Sequence, residues 1–174
     1  MYLKIDRAAG TVVGESTDSE HVGQLEILSY SHGQSQSVVG TTSSAGGRTS
    51  ERVNHSDFSV TKYMDKSTPV LNQSCSEGEC FKTLTFQIYR ATADGGKPVK
   101  FMEYIMTNAI ISSYSVSGGG GDIPSESLSF NYDTIKWAYI PQKKEAPGGP
   151  DTAIPGGWSL KENKKIYLLS AAQS

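Results

Sequence analysis

Hydrophobic and polar residues alternate most cleanly in KTLTFQIYRA, residues 82–91, where Leu84, Phe86 and Ile88 fall on one side of an extended chain. A shorter run with the same period opens the sequence at 2–5. In SDFSVTKYMDKSTPVL, residues 56–71, Phe58, Val60 and the stem of Lys62 share a face, which predicts a strand over 52–64. Asp65-Lys66 then breaks the period. Ser67 or Thr68 can cap a helix over 68–77, with Pro69 in the first turn, where its missing N–H costs nothing. Val70, Leu71 and Cys75 give that helix an apolar side, and Gly78 supplies a left-handed stop.

Three other stretches alternate less simply. In LEILSYSHGQSQSV, Leu25, Ile27, Ser29 and Ser31 share one face and Glu26, Leu28, Tyr30 and His32 the other, so neither face is uniformly apolar. KFMEYIMTNAIISSYSVS runs about 18 residues without a breaker. Ordinary strands run ~3–10 residues, so this one must curve or carry a bulge. In SLSFNYDTIKWAYI the large residues are Leu128, Phe130 and Tyr132, then Ile135, Trp137 and Tyr139. Their parity flips, which predicts a bulge or sheet change near Asp133-Thr134. Long strands that switch faces suit a closed, strongly twisted barrel. GWSLKENKKIYLL is the candidate closing strand.

The segments between are polar and rich in Gly and Pro. GTTSSAGGRTSE, residues 40–51, is longer than ordinary hairpin loops of ~2–5 residues and reads as an extended loop, either a loose insertion or a docking arm. PQKKEAPGGPDTAIPGG, residues 141–157, reads as a surface connector, and 166–174 as a flexible tail. The 174 residues suit one domain. Gly, Ser and Thr, at 18, 24 and 13, make up about a third of the chain, but 36% hydrophobic residues in alternating segments argue for strands and polar turns over disorder.

The net charge of −2 comes from interspersed acids and bases, without the basic stripe of a nucleic-acid binder. MYLKIDRAAG has no apolar segment of signal-peptide type, and no apolar run approaches the ~20 residues of a membrane span. The expectation is a chain made in the cytoplasm, without membrane insertion. Cys75 and Cys80 can be two plain thiols, a local disulfide or part of a metal site; the last lacks nearby histidines, since these stand at 21, 32 and 55. GGGGD at 118–122 has no Lys-Ser/Thr after it and is no phosphate loop. His55 and Asp57 lie two apart, the spacing of a solvated strand face. No catalytic, cofactor-binding or metal-ligating set emerges.

The run F-S-V-T-K-Y-M-D-K-S-T-P-V-L, with V-G-E-S at 13–16, L-S-Y-S-H-G-Q-S-Q-S at 28–37, S-S-Y-S-V-S-G-G-G-G, E-S-L-S-F-N-Y-D-T-I-K-W-A-Y and G-W-S-L-K-E-N-K, resembles the Hcp family, the haemolysin-coregulated proteins of type VI secretion. The resemblance extends to about Lys165. It implies a mainly β fold, an antiparallel β-barrel of two packed sheets with one short flanking α-helix. It also implies a non-enzymatic tube subunit: a homo-hexamer whose rings stack, inside sheath proteins and beneath a trimeric spike protein. Such a subunit is exported without a signal peptide, with effector cargo in its lumen. Thr41, Thr42, Ser43, Ser44, Arg48 and Thr49 are then the expected ring-stacking loop. Ser29 and Ser31 are the expected lumen- or cargo-facing residues, because a lumen for varied cargo should be wet. The competing expectations are a cargo-stabilising chaperone and, less well supported, an enzymatic effector.

Overall fold

A computed structural model describes residues 1–39, 49–50, 52–91, 97–121, 123–142 and 151–166. The chain begins with β1 (Tyr2–Arg7), β2 (Gly10–Thr11), β3 (Leu25–Glu26) and β4 (Ser29–Ser31). Four short strands follow, β5 (Gln34–Ser35), β6 (Val38–Val39), β7 (Thr49–Ser50) and β8 (Asn54–His55), then β9 (Phe58–Tyr63) and the helix α1 (Thr68–Glu77). The remainder is β10 (Cys80–Arg90), β11 (Val99–Ser117), β12 (Ser125–Asn131), β13 (Thr134–Tyr139), β14 (Ile154–Ser159) and β15 (Lys164–Lys165). The predicted strand over 52–64 is therefore two, β8 and β9.

All the ladders are antiparallel, and β11 organises them. One of its edges carries β10. The other carries β13 along Met102–Thr107 and β12 along Ile110–Ser117. Two successive strands sharing one edge require the chain to step sideways between them, and this step produces the parity flip at Asp133-Thr134. β11 bends at the same level. Asn108 has φ 51°, a left-handed conformation that Asn tolerates better than most residues, and the register with β12 shifts between Ile111 and Ser113. Asn108 Nδ2 donates to Asp133 Oδ2 at 3.1 Å, and the Asp133 N–H donates to Thr107 O, also at 3.1 Å, so the bend and the step are bonded together.

The sheet extends through β12 to β9 and β4 at one end, and through β10 to β1 and β3 at the other. Among the described residues the fold is mainly antiparallel β with one helix, as expected, but the ladders do not close into a barrel. β3 pairs with β1 and β4 with β9, and the chain itself spans the gap at Ile27-Leu28. Ile27 N–H donates to Met1 O and Leu28 N–H to Thr61 O, at 2.9 and 2.8 Å. This crossing splits the face on which alternation had placed four residues: Leu25 and Ile27 are buried, whereas Ser29 and Ser31 stand outside.

Between the layers lie Leu3, Ile5, Phe58, Val60, Leu84, Phe86, Met106, Ile111, Leu128 and Phe130, all buried. Full burial of one such side chain stabilises by roughly 1.5–3 kcal/mol. Leu71 joins them from α1, which packs on β11.

Lys62 reaches this core complete with its charge. Its side chain is 1% exposed and its Nζ lies 2.6 Å from Glu126 Oε1, itself fully buried, and 2.8 Å from Asp65 Oδ1. Tyr114 donates to the second Glu126 oxygen at 2.8 Å, and Lys62 Nζ also donates to Tyr63 O. Asp65 accepts from the Ser67 N–H and hydroxyl, while the Thr68 hydroxyl accepts the Asp65 N–H. Burial pushes the Asp65 carboxyl up, but the hydrogen bonds from Lys62 and Ser67 outweigh it and hold the carboxyl below its ordinary value. The helix begins where expected, with Pro69 in its first turn and Gly78 left-handed at φ 66°. Ser67 occupies the cap position but makes no capping bond with its side chain; the carboxylate of Asp65 organises the turn instead.

Two glycines mark close approaches. A Cβ on Gly14, in V-G-E-S, would lie 2.4 Å from the backbone oxygen of Gln24. A Cβ on Gly156 would lie 2.4 Å from Trp137 Nε1. Gly156 pairs with Trp137 inside β14, so the end of the expected connector is a strand, kept bare to seat an indole.

Lys62→Ala, which strands the Glu126 charge, is expected to destabilise the fold by about 3–5 kcal/mol, and the double replacement Lys62→Met with Glu126→Leu by much less. Urea unfolding followed by tryptophan fluorescence measures both, and equal losses would contradict the assignment. Gly14→Ala should lower Tm in the same assay, because the obstructing atom is backbone and cannot rotate away.

Candidate functional site

On the face opposite Val60, Lys62, Glu126 and Leu128, strands β4, β9, β12 and β11 present hydroxyls. Cross-strand register places Ser31 beside Ser59, Ser59 beside Ser129 and Ser129 beside Ser113. A second row follows two residues along: Ser29, Thr61, Ser127 and Ser115. Strands lie ~4.8 Å apart, so each row of four spans roughly 14 Å. Ser59 and Ser129 hydroxyls are 2.9 Å apart, Thr61 and Ser127 hydroxyls 3.3 Å. Neither row contains a charge or a large apolar side chain. The surface can trade hydrogen bonds with water or with many different side chains and offers no single strong anchor.

The sequence reading found Ser29 and Ser31 but not the other six positions, because pairing across strands is invisible to alternation along one strand. Of the expected stacking residues, Thr41, Thr42, Ser43, Ser44 and Arg48 lie outside the described residues. Thr49 is in β7, paired with Val39 of β6. With β5 pairing β8 and β6 pairing β7, the described residues between Gln34 and His55 form the two strands of an arm off the main sheet.

Both strands of the arm are pinned at its base. His32 Nε2 lies 2.7 Å and His55 Nδ1 3.0 Å from the hydroxyl of buried Tyr132. One hydroxyl proton serves one imidazole, so the other ring must donate its N–H to the oxygen, and at least one ring must be neutral. Protonating both rings would set two cations side by side, ring centroids 5.9 Å apart, with no acceptor there for the tyrosine proton. Burial, then the neighbouring His55, lowers the pKa of His32; burial lowers that of His55. Burial, then the nearby Asp57 carboxylate, raises that of Tyr132. Asp57 does not touch His55; it accepts from Ser112 and Asn131. Separations of 100 and 77 residues hid this cluster from the sequence reading. Beside it, between the arm's base and β13–β14, Gln34, Arg52, His55, Trp137, Gly156 and Trp158 border a cavity of about 660 Å³. Cys75 and Cys80 are both free thiols. Among the described residues no group of three or more His, Cys, Asp or Glu gathers as a metal site, and no helix is long and apolar enough to cross a membrane.

Residues 2–139 match the family described as "Type VI secretion system effector, Hcp". The chain belongs to the Hcp family. It is 35% identical over 166 residues to protein hcp1 of Pseudomonas aeruginosa, covering 94% of this chain and 96% of the relative. A solved structure of a type six secretion system protein superposes with a TM-score of 0.82 at 34% identity, covering 95% of this chain and 98% of that one. Hcp1 from Salmonella typhimurium, at 24% identity and TM-score 0.69 over 95% and 96% of the two chains, shares the fold. As an Hcp protein the chain is a component of type VI secretion, and the K-Y-M-D-K-S-T-P run of the family resemblance coincides with the buried Lys62–Asp65 turn.

The histidine pair predicts how this Hcp protein responds to acid. Both folded-state pKa values lie below the unfolded value of about 6.5, so the unfolded chain binds more protons as the pH falls. Stability should be level above about pH 7 and decline as the pH drops through 6.5 toward the folded values. Thermal melts at pH 7.5 and pH 5 measure the decline, and it should shrink in a His32→Gln, His55→Gln double variant. An equal decline in that variant would exclude the pair as its source.

Proposed function

We propose that the chain is the ring-forming subunit of the type VI secretion inner tube. Six copies lock side by side with the Ser/Thr face of β4, β9, β12 and β11 lining the lumen. The arm reaches the adjoining ring, a sheath surrounds the stack, a trimeric spike caps it, and the tube leaves the cell with effector cargo inside. The observation that carries this reading is the pair of four-residue hydroxyl rows. A conduit for varied cargo needs a wet, uncharged wall, and these rows supply one on a sheet whose other face is firmly packed. A ring also needs one surface to meet a different surface on the next copy and close by rotation, which rigid sheets with distinct edges allow. The role is structural, and the same face would serve a cargo-stabilising chaperone.

Light scattering and negative-stain images of the purified protein test this reading. Hexamer-sized rings are expected; a monomer at every concentration would overturn it. Deletion of residues 41–49 should leave rings but weaken stacking. Ser127→Arg, which sets a cation among the hydroxyls, should leave rings intact and lower the cargo recovered with the exported protein. Unchanged cargo would remove the hydroxyl face from the lumen.

A further inference from the structure

Both strands at the base of the arm bond to one atom. His32 stands between β4 and β5 and His55 ends β8, and both rings reach the hydroxyl of buried Tyr132. The base of the arm also holds itself together, through the β5–β8 ladder and the Ser56 N–H donating to Gly33 O at 2.9 Å. It can therefore swing as a unit about residues 32 and 56 without breaking its own pairing. Space surrounds it: the cavity of about 660 Å³ separates it from Trp137 of β13 and Trp158 of β14, and another of about 390 Å³ opens toward Asn131, Tyr132 and Leu160. The groups around the two imidazoles match a second cation poorly. Phe58 and Tyr104 pack on His32, with ring centroids 5.6 and 6.3 Å away, and burial raises the Tyr104 phenol above its ordinary pKa, so it stays neutral. Arg52 borders both cavities beside His55, Lys165 borders the larger, and no carboxylate lines either among the described residues. Asp57, the acid near Tyr132, is turned to Ser112 and Asn131.

We propose that Tyr132, His32 and His55 form an acid-released latch, which frees residues 33–36 and 53–56 from the main sheet while that sheet stays folded. One proton is tolerated, because the charged ring donates to the phenol oxygen and the phenol donates to the other ring. A second proton leaves the phenol without an acceptor and two cations against one tyrosine, so the pair parts and the base of the arm swings into water. Each further proton bound by the open form multiplies the open-to-closed ratio by about ten for every pH unit lost. The sheet does not follow at the same pH. The Asp65 carboxyl is held below its ordinary value, so the Lys62 bridge at the start of α1 keeps its charges to about pH 4 and lower. A window from about pH 6 to about pH 4 thus separates release of the arm from loss of the fold. In the proposed tube, whose arms reach the adjoining ring, the latch would make ring contacts labile in acid. The latch itself lies within one chain and is tested apart from that reading.

The chain has two tryptophans, Trp137 and Trp158, and both border the larger cavity, so their access to acrylamide reads the arm in the full-length protein. Quenching should rise about twofold, reversibly, from pH 7.5 to pH 5, with the far-UV circular dichroism unchanged. His32→Gln with His55→Gln should abolish the rise, and Tyr132→Phe should show the pH 5 value already at pH 7.5. No rise in the parent, or an equal rise in the double variant, would overturn the latch. Circular dichroism lost in step with the quenching would also overturn it, because the sheet would then be melting with the arm. If the double variant does not fold, hydrogen exchange of the parent at the two pH values replaces it. Faster exchange at 53–56 with 82–88 still protected supports the latch, and protection lost equally in both segments, or in neither, overturns it.

Discussion

The buried ion pair between Lys62 and Glu126 is the constraint from which the rest follows. The two residues face each other directly across β9 and β12. Moving this ladder by one residue would turn every side chain to the other face, leaving an ammonium and a carboxylate without each other. Apolar residues alone punish such a slip by degrees; a buried charge pair punishes it at once. Fixing the inner face also fixes the outer one. If Lys62 meets Glu126, Thr61 must meet Ser127 and Ser59 must meet Ser129, so the hydroxyl rows inherit their alignment from a bond they never touch. The same lysine reaches Asp65 and so holds the start of α1.

Local chemistry was legible in the sequence, and distant chemistry was not. The bounds of α1 follow from Pro69 and Gly78, two residues whose backbone preferences act where they stand. The break between β12 and β13 was legible because it reverses parity within one quoted stretch. The charge on Lys62 was not, because its partner is 64 residues away and the lysine reads as a snorkelling stem until the opposite strand is known. The histidines failed to register as a group for the same reason. Gly156 misled in the other direction: Pro and Gly together signal a loop, and only the indole of Trp137 explains a glycine inside a strand.

The candidate site has little in common with an enzyme's. A catalytic pocket concentrates a few strongly placed groups. The hydroxyl face spreads eight weak ones evenly, and four of them pair across strands. Such a face discriminates poorly, as the proposed lumen would require. The titratable groups that do cluster, His32, His55 and Tyr132, gather where the arm joins the sheet, so acid bears on the arm's attachment more than on the hydroxyl face.

In the proposed tube, a load passed from ring to ring along the strands would run lengthwise along β9 and β12. A thrust along that route would load the cross-strand hydrogen bonds in shear, many at a time, instead of peeling them apart one by one. β11 extends this resistance, because its 19 residues span both the β12 and β13 ladders and would share the force between the wall and the sheet behind it. A column built this way would be stiff against compression along its length and weakest where one ring meets another.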